Sequence, residues 1–205
     1  MGNLVDLIRA DVRYQDSLKA CMNCGICTAI CPAAEFFDYD PRRICDTIQR
    51  GDEDSIEKLL RSDTIWNCGQ CMSCKTRCPR GNVPGAVITI LRTVSQNMGY
   101  YKDSYYGRQQ VELAEGIGTN IVDIGYCVHP DKVASSKHPE QGPVWEWYVK
   151  NIEEVAPKFG ANYHGDGPGA LRTISPESME ELRKIFEITG GTELREMLIK
   201  GKNQK

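Results

Sequence analysis

The sequence has no long apolar run. Its most apolar stretch, Gly85 to Leu91, falls far short of the roughly 18 residues that cross a bilayer. It has no basic excess either: the net charge is −3 over 205 residues, which leaves no electrostatic footprint for nucleic acid. Residues 1–20 lack the basic-then-apolar order of a secretory signal, so the expectation is a soluble cytoplasmic protein with reduced thiols. No G-x-G-x-x-G follows a strand-like segment, so neither a flavin nor a nicotinamide site is indicated. Histidine occurs three times, at His129, His138 and His164. These stand in a loop-rich region with no ligand-like spacing.

Cysteine is abundant, and eight of the ten fall into two identical runs. Cys21, Cys24, Cys27 and Cys31 precede Pro32, and Cys68, Cys71, Cys74 and Cys78 precede Pro79. Both runs read C-x2-C-x2-C-x3-C-P, the ligand run of chains that hold two [4Fe–4S] clusters. Three thiolates two residues apart wrap three corners of an iron–sulfide cube, and proline prevents regular continuation. In this pattern the fourth cysteine crosses to the other cluster. Cys21, Cys24, Cys27 and Cys78 are therefore assigned to one cluster, and Cys31, Cys68, Cys71 and Cys74 to the other. Structural zinc also uses C-x2-C pairs, but a third step and an x3-C-P in each run exceed what a tetrahedral ion needs. Four thiolates leave no iron open to substrate, so the expected chemistry is passage of single electrons. No catalytic residue is assigned.

Helical patterning surrounds the runs. Residues 4–19 read as one amphipathic helix. Asp40-Pro41 starts another, stopped by Gly51, with Cys45 as a small core residue beside Ile44 and Ile48. Asp54 with Glu57 reads as a capping box. Trp66 is expected to shield a cluster. Pro84 opens an apolar helix in which Gly85 and Ala86 allow close approach to a cluster loop. Lys75, Arg77, Arg80, Arg42 and Arg43 are placed to offset cluster charge. Further on, Gly142-Pro143 starts a helix carrying Trp145, Tyr148, Ile152 and Val155 and ending at Pro157, with Trp147 facing elsewhere. Gly165–Gly169 reads as a loop. Ser175-Pro176 opens a further helix, and Thr192 caps the last. Cys127 is expected to be a buried structural thiol near His129. The expectation is an all-α protein: a two-cluster domain over 1–100 and a loop-rich helical extension over 101–205.

The segments Cys21–Pro32, Asp40–Ile44, Asp63–Trp66 and Cys71–Gly81 resemble the C subunit of heterodisulfide reductase. Similar domains, the α-helical ferredoxins, occur in succinate dehydrogenase and anaerobic glycerol-3-phosphate dehydrogenase. The resemblance implies an electron-transfer subunit between the flavin/iron-sulfur A subunit and the cysteine-rich catalytic B subunit of such a complex. The chain has no Cys-Cys pair, so disulfide chemistry would belong to the partner. Gly142–Trp147 and Gly165–Arg172 resemble the heterodisulfide-reductase-like complex of sulfur oxidisers. The competing readings are a cluster-stabilised scaffold, a redox sensor, or the iron–sulfur subunit of another dehydrogenase.

Overall fold

The computed structural model describes residues 3–133 and 142–202. Among them every regular element is helical and there is no strand. The chain divides into two compact units, Met1–Gln110 and Val111–Lys205. Among the described residues no helix is long and apolar enough to cross a membrane.

The first unit begins with α1 (Leu4–Ala10) and α2 (Tyr14–Ser17), two short helices in place of the expected one. The Asp11 carboxylate accepts the Arg13 backbone N–H at 2.9 Å and grips the Arg13 guanidinium, which closes a turn. Val12 consequently leaves the apolar face and is 91% exposed. The first run contains the short helix α3 (Ile26–Ala29), after the left-handed Gly25, and leads into α4 (Pro32–Phe36), which starts on the proline after Cys31.

Next comes α5 (Pro41–Arg50). Asp40 accepts from the N–H groups of Arg42 and Arg43, proline occupies the first turn, and left-handed Gly51 ends the helix. Then α6 (Glu53–Arg61) starts earlier than the capping-box reading places it. Asp52 is the cap, accepting from Ser55, while Glu57 bonds Arg61 one turn on. Glu53 also accepts the N–H groups of Leu4 and Val5, tying the start of α1 to that of α6. The second run carries α7 (Ser73–Arg77).

At the centre lies α8 (Pro84–Asn97), packed against α1, α2, α5, α6 and α7. Val87, Ile88, Ile90, Leu91 and Ser95 are fully buried, so more than a stripe of this helix is covered. Burial of such aliphatic side chains contributes roughly 1.5–3 kcal/mol each before entropy is counted. Trp66, in a 3₁₀ turn (Thr64–Trp66), belongs to this core beside Gly107, and it does not line either cysteine cavity.

A helix α9 (Tyr105–Leu113) is followed by a π-helical turn (Ala114–Gly118) and α10 (Thr119–Ile124). In the second unit, Asn151 divides the expected single helix into α11 (Gly142–Lys150) and α12 (Ile152–Val155), its amide donating to the Trp147 carbonyl at 2.7 Å. Then α13 (Pro176–Ile188), capped by Ser175, packs on α14 (Gly191–Lys202) and on α10. Thr192 lies inside α14 and is not its cap.

Candidate functional site

The two cysteine runs take the same local path. Asn23 and Gln70 occupy the same place in their runs and both are left-handed, at φ 60° and 52°. Gly25 and Met72 are likewise equivalent, at φ 80° and 59°. A non-glycine residue in this region costs on the order of 1 kcal/mol. Both runs accept that strain at the step before a cysteine, where the chain must turn to direct successive thiols inward. The helical turns that follow, α3 and α7, pack on one another.

Two cavities result, each partly open to solvent. Cys21, Cys24, Cys27 and Cys78 line the first, and Cys31, Cys68, Cys71 and Cys74 line the second. Each therefore takes three thiols from one run and the last thiol of the other. Neither lining contains a carboxylate or an imidazole. An all-thiol donor set of four cysteines per cavity fits a cuboidal iron–sulfur cluster. Among the described residues no three His, Cys, Asp or Glu side chains converge closely enough for a single metal ion.

Backbone donors are built into the walls. The Asn82 N–H donates to Cys78 Sγ at 3.3 Å, and the Gln70 N–H to Cys68 Sγ at 3.4 Å. The Ser73 hydroxyl lies 3.5 Å from Cys71 Sγ and, with the Ser73 N–H, holds the Cys71 thiol below its ordinary pKa. Burial pushes Cys27 up to about 11 and also raises Cys74. Gly85 brings α8 against the second run. A Cβ there would stand 2.9 Å from Met72 Sδ and 3.7 Å from Cys74 Sγ.

Of the cations expected near the clusters, Arg42 and Arg80 line the first cavity. Arg42 is neutralised by Asp40 at 2.8 Å and also donates to Asn23 at 3.0 Å. Lys75, Arg77 and Arg43 line neither cavity. Cys45 is 2% exposed and is a fifth thiol on the first cavity wall.

Three contributors escape the sequence reading. Arg92 donates to the carbonyls of Ile65, Trp66 and Cys68 at 2.9, 3.0 and 2.7 Å, fixing the approach to the second run. Its signal was present, because Arg92 is the only charged residue in α8. Asn82 accepts the Lys19 N–H at 2.8 Å and is buried, joining the entry of the first run to the exit of the second. Tyr39 lies against the second cavity, 3% exposed.

The remaining sequence candidates lie in the second unit. Cys127 is exposed, contrary to the expected burial, because its neighbour His129 takes the interior place. His129 is 4% exposed, between the rings of Tyr126, Tyr163 and His164. Its Nδ1 accepts the Asp131 N–H at 3.3 Å, and burial lowers its pKa. Asp131 in turn accepts from the Tyr163 hydroxyl at 2.5 Å and pairs with His164 at 2.9 Å. His129, Asp131 and His164 form a polar network on the wall of a cavity that Lys132 and Arg172 also line. His138 lies outside the described residues.

The 4Fe-4S dicluster domain family matches residues 17–82, which spans both runs. Over 98% of its length the chain is 31% identical to the C subunit of ferredoxin:CoB-CoM heterodisulfide reductase from Methanosarcina acetivorans, covering 74% of that protein. It is 33% identical to the iron-sulfur C subunit of CoB--CoM heterodisulfide reductase from Methanopyrus kandleri, over 68% of the chain and 69% of the relative. With the C subunit of H(2):CoB-CoM heterodisulfide,ferredoxin reductase from Methanothermobacter marburgensis the identity is 31%, over 87% of the chain and 78% of the relative.

Proposed function

The chain belongs to the family of heterodisulfide reductase C subunits and transfers electrons through two [4Fe–4S] clusters; from that premise we propose that it is the relay between two other subunits of one complex. One partner is the flavin/iron-sulfur A subunit, and the other the cysteine-rich catalytic B subunit. Cys21, Cys24, Cys27 and Cys78 hold one cluster, and Cys31, Cys68, Cys71 and Cys74 hold the other. The observation that carries this reading is the exchange of the fourth thiol between the two cavities.

When bound, each cluster supplies a site that takes up and releases one electron. The protein's own residues do the rest. The exchanged cysteines, with α3 packed on α7, hold the two sites side by side. Backbone N–H groups of Gln70 and Asn82 donate to the sulfurs of Cys68 and Cys78 and orient them. The hydrophobic core around α8 keeps water from the inner walls. The two-cluster domain is residues 1–100, and residues 101–205 dock the partner subunits. Within the family, we place the chain in a cytoplasmic heterodisulfide-reductase-like complex of sulfur oxidation, on the resemblance of Gly142–Trp147 and Gly165–Arg172.

The test is anaerobic iron and sulfide analysis with redox-titrated EPR, on the chain and on the native complex. About eight iron and eight sulfide per chain are expected, with two interacting signals. Zinc, or a single cluster, overturns the ligand assignment. Recovery of the A and B subunits with the native chain supports the relay, and recovery of a lone regulator does not. Turnover of protein-bound sulfur by that complex, with no turnover of CoB–CoM heterodisulfide, separates the sulfur-oxidation placement from the activity named for the relatives.

A further inference from the structure

The second unit holds a cavity of its own, which the proposed relay leaves unused. It measures about 190 Å³ and lies between the end of α10, the turn 129–132, the loop 163–174 and the start of α13. Its walls are tied together. Gly125, left-handed at φ 77°, ends α10 and lets it approach the loop closely; a Cβ there would stand 2.9 Å from Ile174 and 3.1 Å from Met179 Sδ. The turn is closed by the Lys132 N–H, which donates to the His129 carbonyl at 2.9 Å. Within the loop, the His164 N–H donates to the Leu171 carbonyl and the Thr173 N–H to the Gly165 carbonyl, both at 3.0 Å. The Tyr126 hydroxyl donates to the Arg172 carbonyl at 3.0 Å and fixes that backbone beside the cavity.

The charges on these walls are unequally committed. Asp131 accepts from the Tyr163 hydroxyl and pairs with His164. Lys132 meets Asp123 only at 4.0 Å. Among the described residues the Arg172 guanidinium has no carboxylate or carbonyl partner. One positive charge is therefore left to meet a ligand, and Ile124, Ile174 and Met179 offer aliphatic surface beside it.

That combination selects a chemistry. A single uncommitted guanidinium matches a monoanion, and its planar fork matches a carboxylate. A dianion such as phosphate would need a second free cation, and Lys132 is shared with Asp123. The volume holds about six groups of the size of a water molecule, which is a carboxylate carrying about three further carbons.

We propose that this cavity binds a short-chain aliphatic carboxylate, its head on Arg172 and Lys132 and its chain against Ile124, Ile174 and Met179. Such a ligand joins α10, the turn and the loop, so its binding stabilises the second unit by mass action. No cysteine of either run takes part, and the inference stands apart from the relay and its ligand assignment.

The experiment uses the full chain with both clusters assembled anaerobically, and butyrate as the probe. Calorimetry is expected to show a single saturable site with a Kd of about 1 mM or tighter. Hydrogen-exchange protection should rise in residues 119–133 and 160–180. Acetate, which lacks the chain, and butylammonium, which reverses the charge, should each bind at least about tenfold more weakly. Arg172→Gln should weaken butyrate binding at least about tenfold, the loss of a charge-assisted hydrogen bond, with unfolding of the free chain unchanged. Arg183→Gln, on α13 and outside the cavity, should keep the parent's affinity. Absence of saturable butyrate binding overturns the inference. So do phosphate binding more tightly than butyrate, protection gained only outside those two segments, and an unchanged affinity in Arg172→Gln. If Arg172→Gln does not fold, the parent chain decides: equal affinities for acetate, butyrate and butylammonium overturn the proposal.

Discussion

The Arg92 guanidinium stands 2.7 Å from the carbonyl oxygen of Cys68, the first cysteine of the second run. The same side chain caps the carbonyls of Ile65 and Trp66 and lies over the Trp66 ring at 5.4 Å. The one charge of a largely buried helix is thereby committed to the loop that must deliver a thiol. Arg92→Met leaves three carbonyls without a donor and costs about 3 kcal/mol. Iron analysis and EPR of the variant should show the second cluster lost before the first. Arg92→Lys does not rescue it, because an ammonium cannot fork to three acceptors in one plane.

Exchange of the last ligands gives a signature that sequence neighbours alone would not. Cys78→Ser is expected to disturb the cluster bound by Cys21, Cys24 and Cys27, although 78 belongs to the other run. Cys31→Ser is expected to disturb the cluster of Cys68, Cys71 and Cys74. EPR of each variant beside Cys24→Ser and Cys71→Ser measures this. Pairing of the Cys78 variant with the Cys71 variant, and not with Cys24, would refute the exchange.

Asp40 carries four jobs. It accepts from the N–H groups of Arg42 and Arg43, from the Arg42 guanidinium and from the Thr28 hydroxyl. Asp40→Ala is expected to cost about 2 kcal/mol, the upper end for loss of a helix cap. Asp40→Asn, which keeps the cap acceptor but loses the charge, should recover part of it. Denaturant unfolding of the cluster-free chains, with helix α5 followed by hydrogen exchange, measures both.

The second unit should weaken in acid. His129 faces Asp131 with its Oδ2 at 3.6 Å, together with His164, Lys132, the Leu171 carbonyl and the rings of Tyr126 and Tyr163. Burial outweighs the attraction of Asp131 and holds its pKa below the ordinary 6.5. The folded unit therefore binds this proton less readily than the unfolded chain. Its stabilising contribution is present above pH 6.5 and is lost as pH falls through the lower folded value. Hydrogen-exchange protection in residues 119–133 and 160–180, taken relative to the intrinsic exchange rate at each pH, should fall between pH 7 and pH 5. His129→Gln removes that fall.

Much of the first unit was legible because its signals are local. A cap, a proline in the first turn and a glycine stop define α5 within one short stretch, and the spacing of the cysteines leaves little choice of chemistry. The misreadings arose where one side chain overrides a periodic pattern. Asp11 folds back on Arg13 and expels Val12, and Asn151 bonds the Trp147 carbonyl and breaks a helix that Trp145, Tyr148, Ile152 and Val155 would otherwise continue. Trp66 and Tyr39 are harder still. Both are large, apolar and near a cysteine run, and only the tertiary packing decides that Tyr39 meets the cavity while Trp66 joins the core. Cys127 likewise departs from its expected burial, while His129 two residues on is buried, since a loop carries no fixed period.

The exchange of fourth thiols also imposes an order in time. With ligands assigned as proposed, a ribosome that has released only the first run offers three cysteines of one set and a single cysteine of the other. The set containing Cys31 is complete only once residue 74 has emerged, and the set begun by Cys21 waits for residue 78. The nascent chain is thus a poor acceptor of iron until the second run appears, and becomes competent for both clusters almost at once. Premature termination between the runs leaves a fragment that should hold no complete cluster.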